Sequence, residues 1–153
     1  MGLTVAELCR RHPHVGIDSN ILVYLMEQVS PWERVVSELM SAVESRTCRA
    51  TLSAIALGEV LGGPARHGEL AQVERYASMI AEFPGLTISP VDLNLVVDAA
   101  VISGIRSMSL ADAIHMASAR AAGATAFVTN DRRVRGSAKL EVVYLDELEA
   151  GVA

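Results

Sequence analysis

Several kinds of residue are scarce in this chain, and each scarcity excludes something. Only 4% of the residues are aromatic, so the core must be built from Ala, Val, Leu and Ile. Lys139 is the only lysine; every other basic residue is arginine, whose planar fork grips phosphate bidentately. Acids outnumber bases 18 to 13, for a net charge of −5. The overall positive charge of a typical nucleic-acid binder is therefore missing, although a local basic patch remains open. Cys9 and Cys48 form no CxxC pair, and we expect free thiols in a reducing compartment. His12, His14, His67 and His115 show no HExxH or other paired zinc spacing. The longest run without a charged residue, residues 121–130, is far short of the ~20 a membrane helix needs. The first eleven residues show no basic start followed by an apolar run. We expect a cytoplasmic protein with no membrane partner.

Hydrophobic residues make up 51% of the 153 and charged residues 20%, enough to bury a real core and exclude disorder. The length predicts a single domain over residues 1–153. Within it, Thr4-Val5-Ala6-Glu7 is a capping-box pattern that predicts an additional N-terminal helix over residues 3–11, closed by Pro13. Short apolar runs predict strands at 14–17, 49–52, 86–88, 126–129 and 141–144, with residues 145–153 as a C-terminal tail. Helices are expected at 19–27, from Ser30-Pro31 to 45, at 53–61 with a stop at Gly62-Gly63-Pro64, at 67–83, from Ser89 to 104, and from Ser109 to 122. Strands alternating with helices predict an α/β fold, a parallel sheet covered on both faces. Ligand sites in such folds lie beyond the carboxyl ends of the strands.

Four acids stand near that rim. Asp18 follows the first strand of the predicted sheet, and Glu59 is the one charge between Arg49 and Arg66. Asp112 is in the first turn of its helix, and Asp131 lies two residues past a strand. Each has a plain structural role open to it. Asp18 can cap a helix, Asp112 can complete a capping box with Ser109, Asp131 can make a turn, and Glu59 can face solvent. Together, such acids repel: two charges ~4 Å apart cost roughly 4 kcal/mol at an effective dielectric of about 20. A divalent metal removes that cost, and hard oxygen ligands select Mg²⁺ or Mn²⁺. Arg132, Arg133 and Arg135 beside Asp131 suit a phosphodiester. His115 stands one turn from Asp112, a spacing open to a ligand pair, but we read it as packed or surface-exposed.

Four segments carry a family resemblance. They are Val15-Gly16-Ile17-Asp18-Ser19-Asn20, Ser53-Ala54-Ile55-Ala56-Leu57-Gly58-Glu59, Ser109-Leu110-Ala111-Asp112-Ala113-Ile114-His115 and Phe127-Val128-Thr129-Asn130-Asp131. In this order and spacing they resemble the PIN-domain nucleases, and the single-domain length resembles the VapC toxins of type II toxin–antitoxin pairs. The resemblance implies a three-layer α/β/α sandwich around a mainly parallel five-stranded sheet. It implies that Asp18, Glu59, Asp112 and Asp131 form the acidic site, with Asp18 and Asp112 holding Mg²⁺ or Mn²⁺ most directly and Asn20 and Thr129 in support. It further implies RNA hydrolysis, a homodimer, and inhibition by a VapB-like antitoxin. Arg132, Arg133 and Arg135 would then hold RNA backbone phosphates. The alternative is a PIN-like module that binds RNA or protein without cutting. A small-molecule phosphohydrolase ranks below both, because Asp18-Ser19-Asn20 lacks the Asp-x-Asp of aspartyl-phosphate enzymes.

Overall fold

Thr4 caps the opening helix as its sequence predicts: Oγ1 accepts from the Glu7 N–H, and the Glu7 carboxylate accepts from the Thr4 N–H. The computed structural model describes residues 2–137 and 139–151. The chain runs β1 (Leu3–Thr4), α1 (Val5–Arg11), β2 (His14–Ile17), α2 (Ser19–Glu27) and α3 (Glu33–Glu44). It continues through β3 (Arg49–Ser53), α4 (Ala54–Arg66), α5 (Leu70–Ala81), β4 (Leu86–Ser89) and α6 (Leu93–Arg106). It ends with α7 (Leu110–Ala121), β5 (Ala126–Thr129), β6 (Glu141–Tyr144), a 3₁₀ turn (Leu145–Glu147) and β7 (Leu148–Glu149).

Five strands form one parallel sheet in the order β4-β3-β2-β5-β6. The chain starts at the centre with β2, moves outward through β3 and β4, then returns to lay β5 on the other side of β2. The direction of travel therefore reverses between β2 and β5, where open α/β sheets bind ligands.

Alternation along the strands assigns the two faces. Val15, Ile17, Ala50, Leu52 and Val128 join one core cluster with residues of α1, α2 and α3. Phe127 joins a second cluster with α6 and α7. Gly16 faces α7, where an added Cβ would meet the Ala119 Cβ and stand 2.8 Å from Phe127 Cδ1. Seven consecutive residues of α7, from Ala113 to Ala119, are buried. Small residues on both sides let this helix lie close on the sheet. The two clusters and the sheet between them make the expected three-layer α/β/α sandwich.

Several boundaries differ from the expectations. Ser30 does not open α3, which begins at Glu33 with no side-chain cap; the Ser30 Oγ donates to Glu33 Oε1 at 3.1 Å instead. The helix α4 does not stop at Gly62-Gly63-Pro64 but runs on to Arg66. Pro64 lies in its last turn, where the one lost backbone hydrogen bond is offset by burial of the ring. The next helix, α5, begins at Leu70, after a turn through Gly68 at φ +70. Ser89 belongs to strand β4, since the residue before a proline favours extended backbone. Asp92 caps α6 instead, accepting from the Leu95 N–H at 2.9 Å.

The N-terminal segment is not all helix. Leu3–Thr4 pairs in parallel with Leu148–Glu149, so the expected C-terminal tail carries a 3₁₀ turn and a strand. Met1, Ala138, Val152 and Ala153, which include both ends of the expected domain, lie outside the described residues. Cys9 and Cys48 are free and buried.

Candidate metal centre

Asp18 leaves β2 at the reversal point and is the N-cap of α2, so its plain structural role is real. One carboxylate oxygen, Oδ1, accepts from the Ser19 N–H at 2.8 Å. The other, Oδ2, accepts from Thr129 Oγ1 at 2.7 Å, at the end of the neighbouring strand β5. Asp18 is only 4% exposed. Burial pushes its carboxyl above the ordinary range, against the pull of the Thr129 hydrogen bond and His115, and the nearby charge of Asp112 pushes it further.

Ser53 does for α4 what Asp18 does for α2: it ends a strand and caps the helix, its Oγ accepting from the Ala56 N–H at 3.0 Å. The same Oγ lies 2.6 Å from Nδ1 of His115. The other ring nitrogen, Nε2, is 2.8 Å from Glu59 Oε1 and 4.0 Å from Asp18 Oδ1. Asp18, Glu59 and His115 thus offer ligand atoms within 4.8 Å of one another.

Asp112 sits in the first turn of α7, its N–H bonded to Ser109 Oγ at 3.1 Å. It stands outside that tight group, yet its charge reaches both Asp18 and Arg133. Asp131 is held elsewhere. Its Oδ1 accepts from the Arg133 N–H at 2.9 Å and Nε at 3.0 Å, and its Oδ2 accepts from Nη2 at 3.0 Å. That guanidinium keeps the Asp131 carboxyl below the ordinary range.

Asn20 and Thr129 are hydrogen-bonded to each other. Asn20 Nδ2 donates to Thr129 Oγ1 at 3.4 Å, and Asn20 Oδ1 accepts from the Asn130 N–H at 3.2 Å. The arginines divide. Arg133 and Arg135 line a cleft of about 570 Å³ with Arg106, Ser107, Ser109 and Asp112. Arg132 turns away, paired with Asp146 and Glu147 and lying 4.2 Å from the centre of the Tyr144 ring.

Residues 15–140 match the PIN domain family. The chain belongs to that family. A comparison with curated proteins found no match. Among solved structures, the PIN domain is similar to one described as FitAB bound to a DNA fragment, with 25% identity, TM-score 0.68, and coverage of 88% of this chain and 97% of the other. It is also similar to VapBC2 from Rickettsia felis bound to promoter DNA, at 16% identity and TM-score 0.65, covering 86% and 98%. A third is the sarcin–ricin loop cleaving toxin VapC20 of Mycobacterium tuberculosis, at 18% identity and TM-score 0.58, covering 74% and 86%.

The donor set of this PIN domain fits a hard divalent cation. Asp18 is a buried carboxylate with no lysine or arginine partner among the described residues. Glu59 lies beside it, and the charge of Asp112 acts on it from outside that group. Sequence reasoning missed the roles of His115 and Ser53. The signals were there in the one-turn spacing of Asp112 and His115, and in Ser53 as the cap of the helix that carries Glu59. Arg106 was also missed, because only folding brings residue 106 beside 133 and 135.

Proposed function

We propose that this PIN domain is a Mg²⁺- or Mn²⁺-dependent endoribonuclease. We assign it as the toxin of a type II toxin–antitoxin pair, cytoplasmic, homodimeric, and neutralised by a VapB-like antitoxin. The observation that carries this reading is the buried Asp18 carboxylate at the sheet's reversal point, faced by Glu59 and within reach of the charge of Asp112. Asp18, Glu59 and Asp112 would hold the metal. When bound, the metal supplies charge stabilisation on the phosphate and an activated water.

The protein's own groups do the rest. Thr129 Oγ1 and the Ser19 N–H hold Asp18 in one orientation. Asn20 steadies Thr129. Arg133 and Arg135 grip backbone phosphate in the cleft beside Asp112, which gives affinity rather than sequence choice. Asp131 acts through Arg133, fixing the plane of its guanidinium. An apolar groove of about 740 Å³, lined by Leu25, Met26, Tyr76, Met79 and Phe83, suits a flexible antitoxin segment. The exposed stripe of Leu93, Val97, Val101 and Ile105 along α6 supports the homodimer.

The test is cleavage of bulk RNA with and without Mn²⁺, and expression with and without the adjacent small gene. Metal-dependent cleavage, and growth arrest relieved by co-expression, support the reading. Soluble protein that cuts no RNA with any divalent ion leaves a binding module.

A further inference from the structure

His115 lies among the carboxylates without being one of them, and its hydrogen bonds define what it does. Ser53 Oγ has one proton and two acceptor positions, and the Ala56 N–H already takes one of those positions. At 2.6 Å, the Ser53 hydroxyl and Nδ1 of His115 share a proton in one direction or the other. At Nε2 there is no such choice. A nitrogen 2.8 Å from the oxygen of an ionised carboxylate must carry the proton between them, because two lone pairs would repel. Nε2 is therefore a donor to Glu59 whether the ring is neutral or charged. While it carries that proton Nε2 does not ligate a metal, and Nδ1 is occupied by Ser53.

Glu59 needs that donor. Its side chain is 43% exposed, whereas the His115 side chain is 2% exposed. A glutamate on a helix surface samples several rotamers, and ordering one has an entropic cost. His115 is locked by the close packing of α7 on the sheet, and it passes that order on to Glu59.

We infer that His115 is a positioning residue of the candidate metal centre: through Nε2–H it holds the Glu59 carboxylate beside Asp18, ready to ligate, and is not itself a ligand. The assignment rests on the metal-dependent reading above. It refines the geometric grouping of Asp18, Glu59 and His115 by giving the imidazole a different role from the two carboxylates. Groups that orient a ligand in this way typically change metal affinity by roughly 10–100-fold when removed.

The experiment measures Mn²⁺ affinity by electron paramagnetic resonance in the full chain and its variants, without reference to cleavage. His115→Ala and Glu59→Gln should each weaken Mn²⁺ roughly tenfold or more. The double variant should be no weaker than the worse single one, because both changes remove the same interaction. His115→Gln, whose amide N–H can replace Nε2–H, should restore most of the affinity. Ser53→Ala should weaken binding in the same direction, which keeps the test open if His115→Ala fails to fold. Pulsed resonance on the Mn²⁺-loaded parent should show no coupling to a directly bound imidazole nitrogen. In the metal-free protein, ¹⁵N spectra should show a protonated Nε2. Direct nitrogen coupling, additive effects in the double variant, or an unprotonated Nε2 would each overturn this inference alone. A parent protein that binds no Mn²⁺ overturns both the inference and the metal-dependent reading beneath it.

Discussion

Two histidines at opposite rims of the sheet each stand between a hydroxyl and a carboxylate. At the amino ends of the strands, His12 has Thr125 Oγ1 2.8 Å from Nδ1 and Glu141 Oε2 2.9 Å from Nε2. At the carboxyl ends, His115 has Ser53 and Glu59 in the corresponding places, at 2.6 and 2.8 Å. What differs is the surroundings. The His12 pair is open to water, with the Glu141 side chain 61% exposed. The His115 pair shares its space with Asp18, whose buried charge has nowhere to spread. A hydroxyl–imidazole–carboxylate row is therefore not a site by itself. What makes the carboxyl rim the candidate is a second, buried carboxylate in the same space.

The sharpest way to break the comparison is to remove that second charge. Asn caps a helix about as well as Asp, so Asp18→Asn keeps the local fold. RNA cleavage should fall on the order of a hundredfold or more, the scale of losing a key electrostatic group. The metal-free melting temperature should stay level or rise. The sign follows from the raised carboxyl: the folded state favours the protonated form, so Asp18 costs no stability in acid and destabilises the fold as pH rises through its folded value. Any gain from Asn should therefore be larger at pH 8 than at pH 4. An Asn variant that cuts as fast as the parent at saturating Mn²⁺ removes Asp18 from the site.

Adding the missing positive charge is the next test. Mn²⁺ at a hundredfold its dissociation constant should stabilise the parent by about 2.7 kcal/mol. The rise in melting temperature should be greater at pH 8 than at pH 5.5, because protons compete for the carboxylates. The His12 rim should contribute nothing: His12→Ala should show the same Mn²⁺ response as the parent. No response in the parent at either pH would sink the metal centre.

Gly16→Ala tests whether the close approach of α7 is what makes the carboxyl rim different. The new Cβ would meet Ala119 and Phe127, and overpacking of this kind costs about 1–3 kcal/mol. Because the strain lifts α7 from the sheet, the Mn²⁺ stabilisation should shrink as well. Lost stability with an intact Mn²⁺ response would show that the site does not depend on that packing.

Arg133→Ala should have a smaller effect. RNA affinity should weaken for all sequences alike, and the slope of its salt dependence should fall by about one. Asp131 should also lose its acid sensitivity. In the parent its lowered carboxyl adds stability above the ordinary carboxylate range, and this is lost as pH falls through the folded value. The pair is exposed, so the change in stability should be slight. The smallest effect belongs to His12→Ala: less than about 1 kcal/mol in the melt and no change in cleavage.

Much of this was legible in the sequence because it is local. Strand runs such as 126–129 and caps such as Thr4 and Ser109 depend on a few neighbouring residues. The helix through Gly62-Gly63-Pro64 was not legible, because its persistence depends on burial of Pro64, which no local pattern records. The acids could be placed at strand ends, but not sorted. Glu59 is held by His115, 56 residues further on, and Asp18 by Thr129, 111 residues further on. Arg133 takes Asp131 for itself through a contact two residues long, and a sequence reader has no way to weigh that contact against a metal.

The place of β2 in the sheet also sets a timetable. Asp18 is finished early in synthesis, yet its partner Thr129 lies 111 residues later, on the strand that flanks β2. A chain still growing on the ribosome, stopped before β5, contains Asp18, Glu59, Asp112 and His115 but no Thr129 to orient the first of them. Domains assemble as their chain emerges, at about 5–20 residues per second. The Asp18 carboxylate therefore takes its final orientation only once translation has passed residue 129 and β5 has docked beside β2.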